Sequence, residues 1–424
     1  MNTQTRQNKS QKWTVPFFTI WTGQALSLLG SRVAQFAIVW WLTETTGSAT
    51  VLATASMVAF IPEVFLAPIA GAYVDRWNRR IVMILADGFI ALASLWLAVM
   101  FWLGTAQVWH IYALMLIRSI GGSFHWPAMQ ASTSLMVPKE QLTRVAGINQ
   151  TLYGVLGIAG PPLGAILMEL LPLQGVMLID VGTAALAIIP LFFIHIPQPE
   201  RTSEKHAKRP SVWTDFKEGL RYVWGWTGML YLIVLIFFFK IASAPAFSLM
   251  PLLVKKHFSG GAAQLSLLQA ILGVGTIVGG LVLSAWGGFR KKIVTSLSAA
   301  FVFSFGFLGL GLAPGNIFEI ALASAFVIGF TLPMIDGPFL AFMQISVEPE
   351  MQGRVFTLAI SLLNISAPFS LAIAGPISDK LGLQIWYIVA GVICIGISVI
   401  GLAMPAVMNI ERKTELQEPT EGAA

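Results

Sequence analysis

The chain has 424 residues, 56% of them hydrophobic and only 11% charged, whereas soluble proteins carry about 25% charged residues. A water-soluble globule of that length would lack the polar side chains to cover its surface, so the composition excludes a large soluble enzyme and implies a membrane protein. The net charge of +6 does not point to nucleic acid, because the basic residues sit in short loops between apolar runs, where they set topology.

The first twelve residues are polar and lack an apolar core, so no cleavable signal peptide is expected. Apolar segments follow at 16–41, 48–74, 81–103, 108–136, 145–170, 174–196, 228–254, 263–286, 292–313, 316–346, 354–377 and 383–407. Each approaches or exceeds the roughly 20 residues that span a bilayer. The expected fold is therefore all-α and polytopic, with twelve transmembrane helices. Glycine and proline recur inside the segments, which membrane helices tolerate. Trp13, Trp21, Trp40, Trp41, Trp109 and Trp386 fall near segment ends, where indole rings favour the interface. Cys394 is the one cysteine, so no disulfide can form within the chain, and a lone buried thiol reads as packing.

Residues 197–227 are rich in Pro, Lys, Glu and Ser and read as a linker between two six-helix bundles, 1–196 and 228–407, with a tail at 408–424. Within the linker, Trp213, Phe216, Leu220 and Val223 recur at helical spacing, which predicts a short amphipathic helix on the membrane surface or a regulatory docking element. With the N-terminus in the cytoplasm, twenty of the 26 basic residues lie on the cytoplasmic side. Three (Lys255, Lys256 and Lys380) lie opposite, and three (Arg32, Arg118 and Lys240) lie inside helices. That bias places both termini in the cytoplasm of a cell with this protein in its plasma membrane. The two bundles read as copies. Arg118 to Arg144 aligns without gaps on Ile328 to Arg354, an offset of 210 residues, and Gly71 falls 209 residues before Gly280.

Three motifs carry chemistry. At the end of the second helix stands Gly71-Ala-Tyr-Val-Asp75-Arg76-Trp-Asn78-Arg79-Arg80. Asp75 is a carboxylate at a helix end, suited to a neighbouring helix N-terminus, and the arginines are topogenic. Asn78 tolerates a left-handed turn. In the fourth helix, Arg118 lies about 14 Å from Trp109 at ~1.5 Å per residue. A guanidinium at that depth must face the protein interior, as a functional group or as a structural ion pair. In the fifth helix, Gly154-Val-Leu-Gly157-Ile-Ala-Gly160-Pro161-Pro162-Leu-Gly164 provides a small-residue face for close helix approach and a proline pair for bending.

These three motifs and the parallel six-helix repeat resemble the major facilitator superfamily. The first resembles its signature Gly-x-x-x-Asp-Arg-x-Gly-Arg-Arg/Lys, departing at Asn78; the resemblance implies that Asp75 locks the two halves while the transporter faces outward. The second resembles the motif whose arginine is linked to proton transfer. The third, with Gly157, Gly160, Pro161 and Gly164, resembles the antiporter motif of drug exporters. Trp40-Trp41-Leu-Thr-Glu, Ala86-Asp87, Ile179-Asp180-Val181 and Gly353-Arg354-Val355-Phe356 extend the likeness to the drug:proton antiporter branch that includes macrolide efflux proteins. The resemblance implies a monomeric secondary transporter that exchanges lipophilic small molecules for protons.

Other ionisable groups lie deep in the helices. Glu63 and Asp336 are near mid-depth, and desolvation there suits a carboxylate that loads and releases protons. They, with Arg118 and Asp180, are the candidate proton-coupling residues; the alternative is that Glu63 and Asp336 neutralise Arg118 or Lys240 as static pairs. Asp87 and His125 lie toward the cytoplasmic ends of their helices, and His125 reads either as a proton relay or as a hydrogen-bonded packing residue. Phe36, Trp126, Met129, Lys240, Phe247, Met250 and Met334 are candidate cargo contacts, with helix packing as the alternative for the apolar ones. The chain holds no Gly-x-x-x-x-Gly-Lys-Ser/Thr loop for nucleotide and no metal-spaced His/Cys set, so neither ATP use, a cofactor nor an enzyme is expected. A transporter of an endogenous metabolite, siderophore or lipid on the same fold, and a non-transport receptor, are the competing readings.

Overall fold

A computed structural model describes residues 3–74, 77–198 and 212–411. Asp75, Arg76, residues 199–211 of the 197–227 linker and residues 412–424 of the 408–424 tail lie outside the described residues, as do the side chains of 3–12, 67–69, 71–72, 212–216, 349–350, 357 and 360. Gly71 is therefore described only as helical backbone, and Trp213 and Phe216 only as part of a helix.

Backbone N–H and C=O groups inside hydrocarbon must bond within their own segment, and the chain answers with helices. The first six long ones are α1 (Thr3–Thr46), α2 (Ala49–Val74), α3 (Arg79–Trp102), α4 (Val108–Met136), α5 (Leu142–Leu170) and α6 (Leu173–Phe193). A short helix, α7 (Val212–Trp224), precedes α8 (Thr227–Ser248), α9 (Met250–Lys256), α10 (Ala262–Trp286), α11 (Lys292–Leu312), α12 (Phe318–Ser346), α13 (Pro349–Leu381), α14 (Leu383–Ala403) and α15 (Pro405–Met408). Among the described residues, eleven are long and apolar enough to cross a membrane. The twelfth expected span, α4, has 29 residues but is diluted by His110, Arg118, His125 and a Gln/Ser/Thr-rich last third. Its polar residues are those of a helix turned toward protein, not lipid.

The segment expected as one helix over 228–254 is two. Pro251 has no N–H to give to the preceding turn, so the chain stops at Ser248 and restarts at Met250 with the proline in its first turn. Asn78 also differs from expectation. Its backbone is extended, with φ −69° and ψ 110°, and its side chain accepts from the Arg80 N–H. It is an N-cap of α3 and not a left-handed turn residue.

The chain forms two compact units, with the division falling inside α2 after Ala53 and inside α10 after Ala270. In the first unit α1 packs on α5 and α6, and α3 packs on α4 and α6. In the second, α8 packs on α13 and α14, and α11 packs on α12 and α14. These are the same four pairings under the six-helix repeat. The helix α7 packs on α13 and α8. Its Val223 enters the second unit's core with Met229, Leu232 and Phe342, while Leu220 and Trp224 stay exposed. Glu218 holds Arg354 at 2.7 Å. The remaining outer faces of the helices are apolar: Phe193 is 84% and Trp102 78% exposed, a surface that suits hydrocarbon and not water.

Candidate functional site

The most deeply buried carboxylate of the first unit ties four of its helices together. Asp180 of α6 is 1% exposed and meets groups from three other helices. Arg118 of α4 forms an ion pair with its Oδ2. Ser94 Oγ of α3 donates to the same oxygen at 2.7 Å, and Ser31 Oγ of α1 donates to Oδ1 at 2.9 Å. Arg118 Nη1 donates to the Ser31 carbonyl at 3.3 Å, and Arg118 Nε has no hydrogen-bond partner among the described residues. A buried charge persists when it is paired and its lone pairs are satisfied, and here four helices contribute. Of the alternatives open from the sequence, Arg118 takes Asp180 as its partner, not Glu63. Ser31 and Ser94 carry no sequence signal beyond hydroxyls on inward helix faces, and sequence reasoning missed both.

Beside this knot lies a cavity of ≈ 590 Å³. Arg32, Glu63, Arg118, Ser119 and Trp126 line it. Glu63 makes no ion pair among the described residues and is exposed to the cavity. Trp126 is 46% exposed and its ring meets Tyr153 edge-on at 5.4 Å. The wall therefore offers an acid, two guanidinium groups and an aromatic platform.

The glycine motif of α5 divides in two. A Cβ on Gly164 would stand 2.8 Å from the Phe36 ring, and one on Gly160 would stand 3.0 Å from Arg32 Cβ. These two glycines seat α1, so Phe36, itself buried, is held by packing. Gly157 faces open space. Pro161 and Pro162 continue the helix without ending it. In the first motif, Arg79 is 7% exposed and Arg80 Nη2 donates to the Phe192 carbonyl at the end of α6 at 2.6 Å. Cations belong at helix C-termini, where carbonyls lack helical partners.

The second unit holds a smaller cavity of ≈ 200 Å³. Its walls are mostly aliphatic, with Lys240, Asp336 and Asn364 among them. No ion pair joins Lys240 to Asp336 among the described residues. The other cargo candidates are dispersed. Met129 is partly buried against the core of Ile20, Val82 and Ala128. Met250 and Met334 are buried, and Phe247 is 36% exposed and packs on Phe303 and Phe307.

At its other end, the second unit contains a cap on α2. Asp379, near the end of α13, accepts from the Ala49 N–H at 2.7 Å, the Thr50 N–H at 3.0 Å and Ser48 Oγ at 2.9 Å. Gly375, one turn earlier, allows this approach, since a Cβ there would stand 2.8 Å from Thr50 Cα.

Helices of spanning length, lipid-facing apolar surfaces and a buried charge cluster opening on a cavity define a multi-pass membrane transporter. The family model for the Major Facilitator Superfamily matches residues 20–371, and the chain belongs to that superfamily. It is 33% identical over 391 residues to Macrolide efflux protein A of Streptococcus pyogenes, covering 92% of this chain and 96% of that one. It is 31% identical over 325 residues to Macrolide efflux protein A of Enterococcus faecalis, covering 77% of this chain and 100% of that one. Multidrug efflux pump Tap of Mycobacterium tuberculosis matches at 22% identity over 424 residues, with 96% of this chain and 98% of that one covered. Among solved structures, the nucleoside transporter NupG shares the fold with a TM-score of 0.68 at 13% identity, covering 94% of this chain and 98% of that one. A D-xylose-proton symporter shares it with a TM-score of 0.67 at 13% identity, covering 91% and 96%.

Proposed function

We propose that the protein is a secondary active exporter that exchanges lipophilic, macrolide-like drugs for protons by alternating access. The observation that carries the reading is the ≈ 590 Å³ cavity in which Glu63 and Trp126 face Arg118 of the buried ion pair. The likeness to two macrolide efflux proteins along most of the chain supports the cargo class. An aromatic and aliphatic wall takes up lipophilic cargo, and a mid-depth carboxylate takes up the exchanged proton. In this reading Glu63 and Asp336 load and release protons, one in each half. Asp75 locks the outward-facing state. The halves are 1–196 and 228–407, joined by the linker at 197–227, with both termini in the cytoplasm and the protein working as a monomer in the plasma membrane.

The test is uptake of erythromycin, a macrolide, into inside-out vesicles under an imposed pH gradient. The wild type is expected to accumulate the drug only with the gradient present. Glu63→Gln and Asp336→Asn are each expected to lower that accumulation tenfold or more. Gradient-driven accumulation by both variants at the wild-type level overturns the carboxylate roles. Failure of the wild type to move any drug of a macrolide panel favours export of an endogenous metabolite, siderophore or lipid instead.

A further inference from the structure

A second polar layer lies below the Arg118–Asp180 knot in the first unit. Asp87 of α3 is 7% exposed. Its Oδ2 accepts from Gln24 Nε2 of α1 at 2.9 Å. Its Oδ1 stands 3.3 Å from Nε2 of His125 of α4. Among the described residues, His125 Nε2 is buried and its polar neighbour is this Asp87 oxygen, at the long end of hydrogen-bond distance. Buried polar atoms are normally satisfied, and the Asp87 carboxylate is the group placed to satisfy this nitrogen.

The two layers are built on one register. Gln24 and Ser31, Asp87 and Ser94, and His125 and Arg118 are each separated by seven residues on α1, α3 and α4. Seven residues are about two turns, or roughly 10.5 Å, so each helix presents both members on one face. The lower layer lies toward the Arg79 end of α3 and the Met136 end of α4. Between the layers, α4 carries Ser119 and Ser123, both lining the ≈ 590 Å³ cavity together with Trp126.

We infer that Asp87 and His125 form a second proton-holding station, serving the exchange between cargo and proton. The inference rests on the proton-coupled reading above. A proton arriving from the cavity binds His125 Nε2 and makes an N–H; the imidazolium then donates to Asp87 Oδ1, and the contact closes. Release toward the Arg79 end breaks that N–H and returns the proton to solution, with no other species consumed. Gln24 holds the second oxygen of Asp87 in both states. The charged and titratable groups around the station are Asp87 on α3, Arg118 on α4 itself and Asp180 on α6, the last two sharing the layer above. Glu63 on α2 and Arg32 on α1 line the adjoining cavity. The neighbour contributed by α1 to the station is the uncharged Gln24.

Two assays on purified protein in proteoliposomes separate this station from packing. The first is accumulation of erythromycin driven by a pH gradient. The second is exchange of labelled for unlabelled erythromycin at equal pH, which requires cargo binding and alternating access but no net proton movement. His125→Gln and Asp87→Asn are each expected to lose gradient-driven accumulation tenfold or more while keeping exchange within threefold of wild type. Gradient-driven accumulation within twofold of wild type in His125→Gln overturns the inference. So does a parallel loss of both activities in both variants, because that is the signature of a structural role. If His125→Gln does not yield folded protein, His125→Asn and Asp87→Asn carry the same comparison. A wild type that exchanges erythromycin but ignores the gradient overturns the proton-coupled reading and the station with it. A coupled wild type with an unaffected His125→Gln overturns the station alone.

Discussion

Asp180→Asn is the most telling change to the first unit. The substitution keeps the side-chain shape and leaves an acceptor oxygen for one of the two serines, Ser31 and Ser94, that donate to the carboxylate, but it removes the charge that Arg118 faces. The carboxylate is 1% exposed and the Arg118 side chain 12%, so bulk water does little to screen the guanidinium that remains. Breaking one partner of a buried pair costs about 3–5 kcal/mol. A tenfold change in the folded-to-unfolded ratio corresponds to about 1.4 kcal/mol, so the loss amounts to a factor of ~100 or more. Replacing both partners is far milder, because no uncompensated charge is left. The double variant Arg118→Gln with Asp180→Asn is therefore expected to regain most of the stability that Asp180→Asn loses. Denaturant unfolding in mixed micelles, followed by tryptophan fluorescence, gives both values. An Asp180→Asn protein within about 1 kcal/mol of wild type refutes the reasoning. A double variant no more stable than the single does so as well.

Two further substitutions test the helix contacts. Gly164→Ala places a Cβ 2.8 Å from the Phe36 ring and is expected to cost about 1–3 kcal/mol by overpacking, whereas Gly157→Ala meets open space and should stay within about 0.5 kcal/mol of wild type; thermal melting of the two side by side distinguishes a seat for α1 from a uniformly small helix face. Asp379→Ala removes three acceptor contacts from the first turn of α2 and is expected to destabilise by about 1–2 kcal/mol, as loss of an N-cap does. Asp379→Asn keeps an acceptor and should lose less, and an alanine variant that melts with the wild type discards the cap.

The helical architecture was legible because hydrocarbon imposes it: apolar length, interfacial tryptophan and the distribution of Lys and Arg are all written locally. Even α4, too polar for a hydropathy criterion, is recognisable from its gapless alignment on the stretch beginning at Ile328. The break before Met250 was also visible in principle, since Pro251 cannot donate a backbone hydrogen bond. The charge pairing was not legible. Arg118 and Asp180 are 62 residues apart, and nothing local distinguishes Asp180 from Glu63 as the partner; the choice is made by how α4 and α6 meet the α1 and α3 hydroxyls. The seven-residue spacing of Gln24/Ser31, Asp87/Ser94 and Arg118/His125 was the one available clue to the layered arrangement, and it gains meaning only once three helices are known to share a centre. The glycines of α5 show the same limit. Gly157, Gly160 and Gly164 look alike in sequence, and packing alone decides that two are crowded and one is not.

The repeated set of helix pairings has a corollary for how this protein can change. Under the 210-residue offset, Arg118 and His125 of the first copy correspond to Ile328 and Ile335 of the second. Ile328 is fully buried, and Ile335 lines the smaller cavity. One frame thus carries ionisable side chains at places where its twin carries aliphatic carbon. Substitution among Leu, Ile, Val and Met at those second-copy positions alters volume by little and costs under about 1.5 kcal/mol. At Arg118 a change strands the buried Asp180. Genetic drift therefore has room at Ile328 and Ile335 of α12 that it lacks at Arg118 of α4, and diversification at these matched positions is channelled into the second copy.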